Sequence, residues 1–286
     1  MKLSRLFLAL GALSALTLTA QAMRFPFVQV AQDEAPAKPQ KSGAATVLTL
    51  GTTLLVELDK DESQDFSIEL PAGEYTVLVD GKGLNARRVY GGLSVLKRNG
   101  SSLAGFNGEF LSWAENITEW RTGKTLSLKS NLAARLRLKN GDETETHYWL
   151  TIVPTTKKDF VPLGYSATIK DAVIGTDEGV GGELEHNQSA YYKAVIPAGK
   201  WSISVGAKSA GRPFVNVFLK DARGILLNPS GDHLMINGEP NTQKREEKII
   251  TLLKPKTFLI QIWSEGTTDT SEERVTYDLT IEKADN

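Results

Sequence analysis

Apolar and polar residues alternate in short segments from about residue 45 to the end of the chain, and polar turns separate these segments. A period of two residues is typical of a β-strand that has one face in a protein core. No segment has a convincing helical period, and the part from 110 to 120 is the least clear. The pattern therefore predicts an all-β fold.

One strand design occurs twice. Residues 70–79 have the sequence Leu-Pro-Ala-Gly-Glu-Tyr-Thr-Val-Leu-Val, and residues 196–205 have the sequence Ile-Pro-Ala-Gly-Lys-Trp-Ser-Ile-Ser-Val. In both, a Pro-Ala-Gly turn leads into an alternating strand, whose inward sets would be Tyr75, Val77 and Val79 in the first copy and Trp201, Ile203 and Val205 in the second. The offset is 126 residues at the turn (197 − 71) and 129 at a later Tyr-x-Leu-x-Ile strand (277 − 148). This steady offset indicates one structural unit that is present twice.

Short strands separated by turn signals are typical of β-sandwiches, which need about 100 residues each. We therefore predict two tandem antiparallel β-sandwiches, residues 45–154 and 160–286. The polar stretch after Pro154, which Pro162 soon follows, marks the boundary. We expect the two units to fold independently. A single strand-rich barrel is the main alternative, but it would not need the same turn motif twice.

The first 22 residues have the three regions of a secretory signal peptide. Lys2 and Arg5 precede an apolar run, residues 6–18, and Ala-Gln-Ala at 20–22 supplies a cleavage site. A membrane anchor is the alternative, but the run is shorter than the roughly 20 apolar residues that span a bilayer. We expect residues 1–22 to be removed and residues 23–44, rich in Gln, Ala, Pro and Lys, to form a disordered tether. The product would be periplasmic, on the cell surface or secreted.

Composition narrows the classes of function. The chain has 286 residues and no cysteine, so it has neither disulfides nor a thiol nucleophile. Its formal charge is −1, and loss of Lys2 and Arg5 would change this to −3 (−1 − 2). Such a near balance, without a block of basic residues, argues against binding to nucleic acid.

The order of several short motifs resembles that of bacterial pre-peptidase C-terminal (PPC) domains. The motifs are Asp65-Phe66, Leu70-Pro71-Ala72-Gly73 and Tyr148-x-Leu150-x-Ile152 in the first unit, and Tyr191-Tyr192, Ile196-Pro197-Ala198-Gly199 and Tyr277-x-Leu279-x-Ile281 in the second. The resemblance implies jelly-roll-like sandwiches of the kind appended to exported enzymes, some of which bind matrix polymers or calcium. Because no peptidase domain is attached here, it implies a binding or accessory role rather than proteolysis.

We predict no catalytic residues. His147, His186 and His233 lie in three different sequence neighbourhoods, and the chain has neither a His-Glu-x-x-His zinc motif nor a Gly-x-Ser-x-Gly elbow. We therefore expect an exported, non-enzymatic binding protein that recognises an envelope or extracellular polymer or protein through loops at the sandwich ends. A hydrolase with an unrecognised site and a purely structural envelope component are the alternatives.

Two groups of residues are candidates for binding. Asp59, Asp61, Glu62 and Asp65 place several carboxylates in one turn, and calcium prefers such oxygen ligands. This turn is not an EF-hand, because Gln64 stands where that loop needs glycine. The turn is therefore a calcium candidate, and a solvated charged turn is the alternative.

Trp113 and Trp120 form the second candidate, because they flank the polar residues Glu115, Asn116 and Glu119. Exposed aromatic rings beside polar side chains can stack on sugars or anchor a protein partner. The alternative is that both rings cap the core of the first sandwich, since large aromatic side chains are mostly buried in folded proteins.

The signal-peptide pattern gives the first testable prediction. We expect the mature protein to begin near Met23, because Ala20-Gln21-Ala22 has the small residues that a signal peptidase requires. Intact-mass spectrometry of protein recovered from outside the cytoplasm measures this directly. A mass that still includes residues 1–22 would contradict cleavage.

Overall fold

The computed structural model describes residues 46–83, 89–111, 117–156, 160–165, 167–227, 233–267 and 274–285. In these ranges the chain forms eighteen β-strands. None of the described residues belongs to a helix with the length and apolar character that a membrane span requires. The eighteen strands confirm the predicted all-β class.

Nine strands form the first sandwich and nine form the second. The first sandwich consists of β1 (Thr46–Val47), β2 (Thr53–Leu58), β3 (Ser63–Leu70), β4 (Gly73–Gly83), β5 (Tyr90–Leu96), β6 (Ser102–Leu111), β7 (Glu119–Leu128), β8 (Leu132–Asn140) and β9 (Thr146–Pro154). The second consists of β10 (Ile169–Asp171), β11 (Val180–Leu184), β12 (Ser189–Ile196), β13 (Gly199–Lys208), β14 (Pro213–Asp221), β15 (His233–Asn237), β16 (Lys244–Leu252), β17 (Lys256–Thr267) and β18 (Val275–Lys283).

The two sandwiches have the same topology. The first has a five-stranded sheet in the order β1-β3-β8-β5-β6 and a four-stranded sheet in the order β2-β9-β4-β7. The second has the orders β10-β12-β17-β14-β15 and β11-β18-β13-β16, so each strand takes the place of the strand numbered nine lower. Without its first strand, each unit has the connectivity of an eight-stranded jelly roll. Two tandem jelly-roll-like sandwiches are therefore confirmed.

One detail differs from the expected antiparallel pairing. The short strands β1 and β10 pair in parallel with β3 and β12 at the edge of each five-stranded sheet. The other pairings between strands are antiparallel. Each parallel strand covers an otherwise unpaired edge, where exposed backbone groups could pair with another chain.

The repeated motif builds the core of each unit. The predicted inward residues of β4 and of β13 are all buried between the two sheets of their sandwich. The glycine of each Pro-Ala-Gly turn has a positive φ, 156° at Gly73 and 134° at Gly199. Side chains other than hydrogen are strained there, which explains why both copies of the turn contain glycine.

The outer face of the first four-stranded sheet is also buried. Strand β4 presents Thr76, Leu78 and Asp80 outward, and all three are inaccessible to solvent. Residues 160–165, which we call the connecting segment, lie against this face together with the turn at 221–225 of the second sandwich. Both sandwiches belong to one compact unit. The predicted boundary therefore lies beside a segment that packs on the first sandwich.

A buried ion pair connects the first sandwich with the connecting segment and with the turn at 221–225. Arg121 on β7 and Asp80 on β4 are each 1% exposed, and the Asp80 carboxylate accepts from both Nε and Nη2 of Arg121. Arg121 also donates to the carbonyl oxygens of Val161 (2.7 Å), Pro162 (2.5 Å) and Arg223 (2.9 Å). Burial is the largest single influence and would lower the pKa of Arg121, but the charge and hydrogen bonds of Asp80, with smaller contributions from Tyr165 and Asp221, together raise it. Arg121 thus uses all five of its N–H donors.

Removing this arginine tests its importance for stability. We expect Arg121→Met to lower the free energy of unfolding by about 3 to 5 kcal/mol, because Asp80 would remain buried without its partner. Arg137→Met is the matched control, since Arg137 also pairs with an aspartate, Asp65, but is 46% exposed. That substitution should cost no more than about 1 kcal/mol. Urea denaturation measures both values, and equal small losses would contradict the expected role of Arg121.

Candidate binding groove

The acidic turn forms a tight connection between β2 and β3. The backbone N–H of Asp59 donates to Glu62 Oε2 (2.9 Å), and Asp61 has a φ of 58°. Asp65 lies on β3, where its carboxylate accepts from Arg137 Nε (2.7 Å) and Arg135 Nη1 (3.3 Å). The hydrogen bond from Arg137 is the main cause of the lowered pKa of Asp65.

This geometry does not favour the calcium candidate. Although Asp59, Asp61, Glu62 and Asp65 all lie among the described residues, no three of them bring carboxylate oxygens within 4.8 Å of one another. The physical reason is the β-strand itself, which carries Asp65 away from the turn and toward two arginines. The geometry matches the alternative, a solvated charged turn.

Trp120 lies between the two sandwiches. It is 7% exposed, and its ring meets the ring of Phe218 edge-on at a centroid distance of 5.2 Å. A ring in this position has no free face for a sugar, so the ligand-binding hypothesis is not supported for Trp120. Its burial matches the alternative of core packing, with the second sandwich as part of that core. Trp113 lies outside the described residues.

A lysine is buried beside Trp120. Lys220 on β14 places its Nζ 4.0 Å from the centroid of a Trp120 ring and donates to Gln261 Oε1 (2.7 Å). Burial lowers the pKa of Lys220 to about 7, nearby Arg121 adds to this lowering, and Asp80 opposes it. Sequence reasoning missed this group, because Lys220 alternates with apolar residues and therefore has the pattern of a solvated strand face.

The fold brings together one group of potential metal ligands among the described residues. Glu57 on β2 and Glu145 lie within 3.7 Å and 3.5 Å of His147 Nε2. One donor atom of each residue lies within 4.8 Å of the others. Both carboxylates are exposed, and such groups are common on protein surfaces. The cluster brings His147 close to two acidic residues that the sequence did not connect with it.

The outer face of the second four-stranded sheet is an open polar groove, which we call the groove. Its volume is about 570 Å³, and it crosses β16, β13 and β18. Ser202 and Ser204 of the central strand β13 form its floor with Thr280 of β18. Charged residues of the neighbouring strands rise beside this floor, namely Arg245, Glu247 and Glu282. The corresponding face of the first sandwich is the buried one described above.

Hydrogen bonds hold the side chains along the groove. Ser202 Oγ donates to Glu247 Oε1 (2.6 Å), and Arg245 Nη1 donates to Ser204 Oγ (3.1 Å). Arg245 Nη2 also pairs with the carboxylate of Asp278, which lies on the far side of the central strand. The groove therefore has an oriented guanidinium above a floor of small hydroxyl side chains.

Gly206 makes the pairing of Arg245 with Asp278 possible. It lies between them in the sheet, opposite Arg245 on β16 and opposite Asp278 on β18. A Cβ at this position would lie only 2.5 Å from Asp278 Oδ2 and 3.1 Å from Arg245 Nη2. Glycine thus leaves the space through which the arginine crosses the central strand.

The signal for this groove is present in the sequence. The repeated strand is recognised by its inward residues, which are equally apolar in both copies. The outward residues differ, with Thr76, Leu78 and Asp80 in β4 but Ser202, Ser204 and Gly206 in β13. A comparison of these outward residues would have shown that the two faces differ in chemistry.

Comparisons with known proteins do not assign a family. No family model matches the chain, and no curated protein matches it. Among solved structures, the CBM22-1-CBM22-2 tandem domain of Paenibacillus barcinonensis Xyn10C is 9% identical with a TM-score of 0.26, over 86% of this chain and 100% of that chain. The PBSX exported protein XepA is 12% identical with a TM-score of 0.25, over 81% and 87% of the two chains.

A third similar structure is the Arthrobacter globiformis T6 isomalto-dextranase complexed with panose. It is 15% identical with a TM-score of 0.24, and the match covers 82% of this chain and 35% of that chain. Similarity at this level carries no argument about function. The resemblance to PPC domains therefore remains a hypothesis, and the function has to be inferred from the chain itself.

The buried lysine gives a prediction about pH. The pKa of Lys220 is about 7 in the folded protein and near 10.5 when the chain is unfolded, so the unfolded chain binds more protons between these values. Lys220 should therefore make the free energy of unfolding rise as the pH rises from 7 toward 10, by up to about 1.4 kcal/mol per pH unit. Below pH 7 Lys220 is protonated in the folded protein as well, so the full free-energy cost of burying its charge remains.

Urea denaturation at pH 7, 8 and 9 measures this slope. We expect Lys220→Met to flatten it relative to the wild-type protein. Lys256→Met is the control, because Lys256 also lies over an aromatic ring, that of Phe258, but is exposed. Its slope should equal that of the wild type. An unchanged slope in the Lys220 variant would show that the folded protein keeps this lysine charged throughout.

Proposed function

We propose that the chain is an exported, non-enzymatic accessory protein and that the groove of its second sandwich binds a polymer or protein partner outside the cytoplasm. The observation that carries this proposal is the difference between two equivalent faces. The first is buried under other parts of the chain, whereas the second is open and lined mainly with polar side chains, together with Ile249 and Ala284. Export is supported by the signal-peptide pattern of residues 1–22.

The groove offers binding chemistry. It presents hydroxyl groups, a guanidinium and carboxylates, and none of the described residues that line it is a histidine. Arg245 is 43% exposed on its side chain and is held by Asp278, so it is both accessible and oriented. Oriented polar groups in a concave surface are typical of binding sites.

The groove differs from the position that the sequence predicts for binding. The sequence predicts binding by loops at the sandwich ends, and this remains a prediction, since residues 84–88, 112–116, 228–232 and 268–273 lie outside the described residues. The groove is a second position on the same protein. It has the advantage that strands support it on both sides, because a site on strands is held more rigidly than a site on loops.

A groove-filling substitution tests the proposal. Ser204→Trp places a large ring on the floor of the groove, and Ser67→Trp places the same ring on the outer face of the five-stranded sheet of the first sandwich as a control. Both mature proteins are used to capture partners from envelope extracts, with purified peptidoglycan and soluble glycans measured in parallel. We expect the wild type and the Ser67 variant to bind the same partner and the Ser204 variant to lose at least 90% of it.

Two results would contradict the proposal. Equal capture by all three proteins would show that the groove is not the binding site. Hydrolysis of peptide, ester or glycan substrates that Ser204→Trp abolishes would show that the groove is an active site. Thermal unfolding of each variant shows that lost capture does not reflect lost folding.

A further inference from the structure

We infer that the groove takes an extended polypeptide segment that carries basic side chains, an inference that rests on the proposed function. The argument begins with the internal repeat. Asp80 on β4 lies opposite Arg121 on β7, and Gly206 on β13 lies opposite Arg245 on β16. Since β13 and β16 take the places of β4 and β7, the two arginines occupy equivalent positions on the two faces.

The first of these faces already holds a piece of polypeptide. Arg121 donates to the carbonyl oxygens of Val161 and Pro162, and the N–H of Gly164 donates to Asp80 Oδ2 (2.6 Å). The face therefore recognises backbone, with an arginine as donor and an aspartate as acceptor. Val161 precedes a proline, which restricts its backbone to extended conformations.

The second face also has an arginine paired with an aspartate. No segment among the described residues covers this pair. Its arginine is Arg245, and its aspartate is Asp278, which has moved from the central strand to β18. Gly206 replaces the central aspartate and leaves room for the pair. The arginine that holds backbone in the first sandwich is thus present and accessible in the second, and its aspartate partner also accepts from Gln243 Nε2 (2.7 Å).

Several positions around the pair have become polar or acidic, although Ile249 takes the place of Thr125. On the first face Leu78 and Val153 contact Val161 of the connecting segment, and Ile225 lies over Gly123. By sheet register, their places on the second face are taken by Ser204 for Leu78, Glu282 for Val153 and Glu247 for Gly123. A segment that lies there would meet the carboxylate of Glu282 where the connecting segment meets the methyl groups of Val153, and Glu247 would lie beside it.

Charge and ring content select the class of ligand. Four carboxylates line the groove, Asp177, Glu247, Glu282 and Asp285, against the two cations Arg245 and Lys283. This excess of negative charge favours lysine or arginine side chains in the ligand. The described lining has no aromatic ring, which is the platform on which sugars stack. The groove therefore fits a basic polypeptide better than a glycan.

Two peptides based on residues 160–164, both with Ala in place of Phe160, test this inference. The sequence Ala-Lys-Pro-Lys-Gly has lysines in the places of Val161 and Leu163, and Ala-Val-Pro-Leu-Gly keeps the apolar side chains. Fluorescence polarisation with labelled peptides and the mature protein should show at least tenfold tighter binding of the lysine peptide. Raising the salt concentration from 50 to 500 mM should weaken this binding, because the contacts are charged.

Variants separate backbone recognition from charge. Arg245→Met should weaken both peptides at least fivefold, because it removes the donor to the backbone. The double variant Glu247→Gln, Glu282→Gln should weaken only the lysine peptide. Arg137→Met is the matched control, since Arg137 pairs with an aspartate at similar exposure on the first sandwich, and it should leave both affinities unchanged.

Each contrary result has a definite meaning. No saturable binding of the lysine peptide at millimolar concentration, or equal binding by the Arg245 variant, would overturn the inference. Competition by spermidine as strong as that by unlabelled lysine peptide would also overturn it, because it would show that only charge attraction is involved. Binding of a soluble glycan in the groove, in place of the peptide, would overturn it too. If Ser204→Trp loses its partner but neither peptide binds, the proposed function stands and the polypeptide class is wrong. If Ser204→Trp keeps its partner and neither peptide binds, both proposals fall.

Discussion

The pairing of Arg121 with Asp80 is the constraint on which the arrangement of the two sandwiches depends. Moving two charges out of water costs several kcal/mol, and only good geometry with further hydrogen bonds recovers this cost. Here the further hydrogen bonds come from Val161 and Pro162 of the connecting segment and from Arg223 of the second sandwich. A chain that ended at Pro154 would leave the guanidinium without those three carbonyl groups. The ion pair therefore links the first sandwich to the connecting segment and to the turn at 221–225 of the second sandwich.

The two units show how one topology acquires two different outer faces. Both cores use the same inward pattern, and the change is confined to outward positions of strands with the same connectivity. Outward side chains contribute little to either core, so they can vary without loss of the sandwich. In the first unit the outward side chains include Arg121, Asp80 and apolar residues, and they pack against the connecting segment and the turn at 221–225. In the second they remain in contact with solvent and form a groove.

The inward residues of each strand were predictable because burial between two sheets requires an apolar side chain at every second position. The environment of the outward residues was not predictable, because a charged residue such as Asp80 or Lys220 gives the same alternating pattern whether its face contacts water or another domain. Trp120 illustrates this difficulty, since its ring completes a core to which Phe218 of the second sandwich also contributes. Most of the groove residues are small or charged, and only their alignment with the first copy distinguishes them from an ordinary solvent-exposed face.

The polar groove also opposes the continuation of this arrangement of faces from one copy to the next. The first four-stranded sheet meets the second sandwich in a head-to-tail manner, and such heterologous contacts can continue from copy to copy when both faces stay complementary. If Ser204 and Glu282 were as apolar as Leu78 and Val153, the second sheet could accept a segment of another chain in the same way. Glu282 and Glu247 instead make burial costly unless the incoming segment supplies cations. These two carboxylates thus oppose self-association and, for the same physical reason, would favour the basic partner that we propose.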